Sequence, residues 1–127
     1  RVLLAEDNEL KSAILTMLLT DRGAEVEVAQ DGRKALEAFE NHEPGTYAAI
    51  LMDVMMPNMD GLSATRAIRA LAREDAKTIP IIAMTANAFE EDAQKCFEAG
   101  MNAHLSKPIR IEKLVAAIAE FCGAGRA

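Results

Sequence analysis

Short, nearly continuous apolar runs alternate along this chain with longer stretches in which apolar residues recur every three or four positions. The runs Val2–Ala5, Ala48–Met52 and Ile79–Met84 predict strands buried on both faces, as in a parallel sheet covered by helices on each side. Glu25–Ala29 alternates acid with valine and predicts a strand at a sheet edge. A fifth, short strand centres on His104-Leu105. Helices are predicted between them. Leu10–Asp21 places Leu10, Ala13, Ile14, Met17 and Leu18 on one face and stops at Gly23. Asp31 caps a helix through Phe39 that ends before Pro44-Gly45. Leu62–Ala72 follows Asp60-Gly61. Ala88–Ala99 has Asn87 as N-cap, Glu90 three residues on, and Gly100 as its stop. Ile111–Cys122 turns Ile111, Leu114, Val115 and Ile118 inward, with Cys122 at its end.

Strand and helix thus succeed one another as (βα)5. That pattern predicts an α/β fold: one three-layer, doubly wound domain on a parallel five-stranded sheet with right-handed crossovers. The order 2-1-3-4-5 puts the alternating second strand at an edge. The domain is expected over residues 1–122, with GAGRA at 123–127 as a disordered tail. The start at Arg1, running directly into a strand, leads us to expect a piece of a longer protein.

Charge and cysteine usage narrow the classes of function. The net charge of −6 repels nucleic acid and anionic lipid, so no direct nucleic-acid partner is expected. No apolar run approaches the ~18 residues of a membrane span, so no membrane contact by this domain is expected. Cys96 and Cys122 lie in helical runs without CxxC spacing and read as buried thiols. A cytoplasmic location is expected, with a parent protein that could be membrane-anchored.

The polar residues fall where chemistry needs them. The first strand ends in Glu6-Asp7, the third in Asp53, the fourth in Thr85 and the fifth in Ser106-Lys107. In an open α/β sheet, sites form outside the carboxyl ends of the strands. With order 2-1-3-4-5 these strands are neighbours, so three acids, a hydroxyl and an ammonium converge on one crevice. Taken singly, each has a plain reading: Asp53 a turn residue, Lys107 a solvated lysine, Thr85 a helix cap. Together they point to a site. Carboxylates that close repel one another unless a cation lies between them. An all-oxygen donor set suits Mg²⁺, with Mn²⁺ as the substitute, and the lack of His or Cys at ligand spacing argues against zinc. An Asp carboxylate can attack phosphorus to give an aspartyl phosphate. Mg²⁺ and Lys107 would offset the charge of the incoming phosphoryl group, with Thr85 donating to its oxygens.

The stretches VLLAEDNE, LMDVMMPNMDG, PIIAMTANA and HLSKPI resemble the receiver domain of two-component signalling, over nearly the whole chain. The resemblance implies that Asp53 is the phosphoacceptor. It further implies that Glu6 and Asp7 hold Mg²⁺ with the backbone carbonyl of Met55, that Thr85 is the switch hydroxyl, and that Lys107 pairs with the phosphoryl group. It also implies a cis Lys107-Pro108 bond and a phosphodonor that is a histidine kinase or histidine phosphotransfer domain. The switch position usually filled by an aromatic ring is His104 here, which either serves that role with an added charge near neutral pH or simply packs at the strand edge. Met55 cannot orient an attacking water, leaving Asn87, so slow self-dephosphorylation is expected. Leu15 and Leu19 are expected on the solvent side of the first helix, a helix that in this family is a common docking surface for the phosphotransfer bundle. Met52, Met55, Met56 and Met59 surround the site, either as gap-filling core or as a docking lip.

MTANAFEED and EAGMNAHLSKPI look most like receivers of hybrid sensor histidine kinases. A response regulator without its output domain is the alternative parent. An aspartate-nucleophile phosphohydrolase would need D-x-D on its first strand. An FMN carrier of the flavodoxin-like fold would need a hydroxyl- and glycine-rich loop where Glu6-Asp7-Asn8-Glu9 stands. A scaffold that never takes phosphate would lack one of the five site residues.

Overall fold

The computed structural model describes residues 2–23, 25–41, 47, 49–54, 59–71, 76, 79–85, 90–106 and 111–118. Strands β1 (Val2–Ala5), β2 (Val26–Ala29), β3 (Ala49–Asp53), β4 (Ile81–Thr85) and β5 (Ala103–Ser106) form one sheet in the order β2-β1-β3-β4-β5, every pair parallel. This is the predicted doubly wound topology. Helices α1 (Glu9–Asp21), α2 (Gly32–Asn41), α3 (Gly61–Arg69), α4 (Glu90–Ala99) and α5 (Ile111–Ile118) fall between and after the strands. Asn87, Cys122 and the expected tail at 123–127 lie outside the described residues.

Side chains alternate across a strand, and the continuous apolar runs therefore feed two cores. Leu3, Ile50, Met52 and Ile81 face one way and pack with Phe39 of α2, Ile68 of α3 and Cys96 of α4. Leu4, Leu51, Ile82 and Met84 face the other and pack with Leu15 and Leu19 of α1 and Leu114 of α5. β1 and β3 are buried throughout their length. The edge strand β2 is not: Val28 is exposed, while Glu27 accepts a 2.8 Å hydrogen bond from the Tyr47 hydroxyl.

The first helix turns the opposite way from the sequence expectation. Leu15 and Leu19 are buried, Leu19 being 2% exposed, whereas Leu10, Ile14 and Met17 are 71%, 44% and 58% exposed. Leu15 and Leu19 are therefore core residues and cannot form a docking surface. The reason is physical. Apolar residues occupy most of the circumference of α1, and Ser12, Leu15 and Leu19 share a helical face as well as the predicted set does. The choice falls to the packing partners, α5 and the β1 side of the sheet.

Helix ends follow their local chemistry. Asn8 caps α1, its Oδ1 accepting from the Lys11 amide at 3.0 Å. Gly100 at φ 109° closes α4: its amide donates to Phe97 and that of Met101 to Cys96, both at 3.0 Å, the paired bonds of a Schellman motif. At the amino ends of β4 and β5, the half-buried Arg69 guanidinium donates to the carbonyls of Gly100 and Ala76 and to Oδ1 of Asn102, at 2.8–3.0 Å. Burial pushes its pKa below the ordinary arginine value. The same Asn102 oxygen accepts from the Ile81 amide at 2.9 Å.

The inverted face of α1 gives a direct test. Leu19→Ala should cost about 2–5 kcal/mol, the range for emptying a buried leucine site. Met17→Ala should stay within about 0.5 kcal/mol of the parent, as exposed substitutions do. Urea denaturation followed by circular dichroism measures both.

Candidate functional site

The carboxyl ends of the central strands carry the site. β1 and β3 are held rigidly by burial on both faces, and each delivers its acid at the point where the strand stops. Glu6 follows β1 directly; its amide donates to the Ala29 carbonyl at 3.0 Å, which ties it to the end of β2. Its carboxylate accepts from the Asn8 amide at 3.3 Å. Asn8 is also the α1 cap, so three consecutive residues end a strand, present two acids and start a helix. Asp53 is the last residue of β3, and the next amide, Val54, donates to the Met84 carbonyl of β4 at 3.1 Å.

The register brings these acids level. Ala5 pairs with Met52, so Glu6 comes beside Asp53. Oxygen atoms of Glu6, Asp7 and Asp53 all lie within 4.8 Å of one another, with Glu6 and Asp53 buried and Asp7 exposed. Two unit charges about 4 Å apart repel by about 4 kcal/mol at an effective dielectric of ~20. A cation between them removes that penalty. The donors are all carboxylate oxygens, the set that suits a small hard cation keeping several of its waters. The exposure of Asp7 leaves one side of the cluster open to water. The residues therefore fit Mg²⁺.

Thr85 ends β4 one residue beyond Met84, the register partner of Asp53, and pairs with Ser106 at the end of β5. The topology thus carries Thr85 to the same rim as Asp53. Lys107 and Met55, with Met56 and the Lys107-Pro108 bond, lie outside the described residues. His104 is half-buried in β5, and its ring meets that of Phe97 edge-on, centroids 6.0 Å apart. The sequence placed the third helix after Asp60-Gly61 without assigning either residue a role. Asp60 caps α3, its Oδ1 accepting from the Ser63 amide at 2.7 Å, and the Gly61 amide donates to the Val54 carbonyl at 3.0 Å. The Asp60-Gly61 pair was the available signal: an N-cap type followed by the smallest residue.

Comparison with known proteins agrees with this geometry. The family model of the response regulator receiver domain matches residues 2–119. The chain is similar to hybrid signal transduction histidine kinase I of Dictyostelium discoideum, 40% identical over 111 residues, covering 86% of this chain and 6% of that protein. It is similar also to the osmosensing histidine protein kinase SLN1 of Saccharomyces cerevisiae, 39% identical over 127 residues, covering 98% and 10%. The chain thus spans a tenth or less of the length of these two kinases. Among solved structures it resembles the receiver domain of a Pseudomonas aeruginosa sensor histidine kinase with a magnesium ion in its active-site cleft. That match has TM-score 0.85 and 39% identity, over 96% of both chains. It also resembles the receiver domain of the yeast response regulator Ssk1, solved with the histidine phosphotransfer protein Ypd1 (TM-score 0.87, 26% identity, 99% and 90% covered).

The acid cluster predicts how metal and stability are linked. A ligand bound only by the folded state at 100 times its Kd adds about 2.7 kcal/mol. MgCl₂ should therefore raise the thermal midpoint of the parent protein, and Asp7→Asn should lose most of that rise. In metal-free buffer, Asp7→Asn should melt above the parent, because one repelling charge is gone. Differential scanning calorimetry with MgCl₂ and with EDTA checks both.

Proposed function

The chain belongs to the response regulator receiver domains, and from that membership we propose that it takes a phosphoryl group from phosphohistidine onto Asp53. The single observation that carries the reading is the gathering of Glu6, Asp7 and Asp53 at one end of a fully buried strand pair. An Asp53 oxygen attacks phosphorus; the new P–O bond replaces the P–N bond, and the departing imidazole keeps the electron pair and takes up a proton. Asp53 is suited to this because β3 fixes its direction, so little orientational freedom is lost on reaching the in-line geometry. Glu6, Asp7 and Asp53, with the Met55 carbonyl, would hold Mg²⁺, which when bound would offset charge on the phosphoryl oxygens. Lys107 pairs with those oxygens and Thr85 donates its hydroxyl to them. Thr85 and His104 then relay the change to the β4–β5 side of the domain, where Phe97 is exposed beside His104.

The partner is a histidine kinase or a histidine phosphotransfer domain. Its docking surface is the outer stripe of α1, Leu10, Ile14 and Met17, spaced i, i+4, i+7 along one side. That stripe starts two residues after Glu9's neighbour Asn8 caps the helix, directly beyond the acids. An apolar stripe there suits the face of a helical bundle that brings a phosphohistidine to the acid rim, and a similar receiver has been solved with a phosphotransfer protein. The parent is a hybrid sensor histidine kinase, since similar stretches occur in kinases of that kind. The domain works on the cytoplasmic side of that parent. Among the described residues no helix is long and apolar enough to cross a membrane.

Incubation with a small phosphodonor and MgCl₂ should give a phosphate-sized gain in intact mass, absent with EDTA and absent in Asp53→Asn. A gain that survives Asp53→Asn would sink the assignment of the acceptor. With a phosphotransfer domain as donor, Ile14→Glu or Met17→Glu should slow transfer by roughly tenfold or more, as losing about 1.4 kcal/mol of contact does, while uptake from the small donor stays unchanged.

A further inference from the structure

Two glycines stand where a side chain would strike backbone, although neither is among the described glycines with positive φ. Their smallness is needed for approach. Gly61 opens α3, and a Cβ there would collide with the carbonyl oxygen of Asp53. Gly32 opens α2. Its amide donates to the Met59 carbonyl at 3.1 Å, and a Cβ there would collide with that same oxygen and crowd the Asp60 carbonyl and the Ala64 methyl at 3.0 Å. Both blocking groups are mainly backbone and cannot swing aside.

These contacts form a chain. The start of α2 is fixed by the buried Asp31, whose Oδ1 accepts from the Lys34 amide at 2.8 Å. Through Gly32 it rests on Met59 and Asp60. Asp60 leads into Gly61, which rests on Asp53. The other end of the same corner, Ala29, accepts the Glu6 amide at 3.0 Å. The corner between β2 and α2 thus touches the end of β1 directly and reaches the end of β3 through Met59, Asp60 and Gly61.

We propose that Gly32 is a positioning residue for the acid site: by letting the β2–α2 corner close against Met59–Asp60, it sets the spacing between Glu6 and Asp53 and hence the strength of Mg²⁺ binding. Gly32 touches neither metal nor phosphoryl group. The proposal rests on the Mg²⁺ and phosphoacceptor reading above.

The test compares Gly32→Ala with Gly23→Ala in the protein as it stands. Gly23 has φ 92° and open space around it, so its substitution strains the backbone far from the acids. Mg²⁺ affinity is measured by isothermal titration calorimetry and stability by thermal melting. Gly32→Ala should weaken Mg²⁺ binding by about 10- to 100-fold, the loss typical when support behind a metal ligand is removed. Gly23→Ala should lower the melting temperature and leave Mg²⁺ affinity within twofold. Unchanged affinity in a folded Gly32→Ala overturns the proposal. Should Gly32→Ala not fold, amide exchange in the parent protein decides. Slower exchange of the Gly32 amide on adding Mg²⁺ supports the coupling, and an unchanged rate overturns it. A parent protein that binds no Mg²⁺ overturns the reading of the site itself, and the positioning role with it.

Discussion

The mutual repulsion of three carboxylates is the constraint around which this domain is arranged. Glu6, Asp7 and Asp53 have oxygens within 4.8 Å of one another, a grouping that flexible chain would relieve by moving apart. β1 and β3 do not permit that. Each is apolar along its length and covered on both faces, so a shift in register would expose core side chains or bury polar ones. The hydrophobic effect, which has no direction of its own, is thereby converted into a fixed placement of charge.

Much of this was readable from residue order. Continuous apolar runs at Val2–Ala5 and around Ile50 and Ile82 are short enough to read as strands of a sheet covered on both sides, and the acids stand where those runs end. The edge position of β2 followed from its alternating acids. What failed was the face of α1. Seven of the ten residues from Leu10 to Leu19 are apolar, so periodicity offered two stripes of nearly equal merit, and the packing partners, α5 and the sheet, select Leu15 and Leu19. Helix ends were easier, because Asp31, Gly23 and Gly100 act on their own neighbours. Contacts between residues distant in sequence were not accessible. Nothing near Gly32 says that Met59 will lie against it, and nothing near Tyr47 names Glu27.

The reversal of α1 also changes which of its residues meet water. Its inner face is made of leucines that hold α1 to the sheet, and its outer face keeps large apolar residues in water. The outer set lies outside both buried cores. An exposed apolar stripe beside a cluster of acids is a combination suited to meeting another protein while carrying out chemistry at the edge of the contact.

The Arg69 clamp has a mechanical consequence. It ties α3 to the Gly100–Asn102 turn, and Asn102 in turn holds the first residue of β4. β4 and β5 are thus moored at the end remote from the acids. Any load applied at the carboxyl ends of β4 and β5 would then act on strands fixed at their opposite roots, and would favour pivoting over sliding.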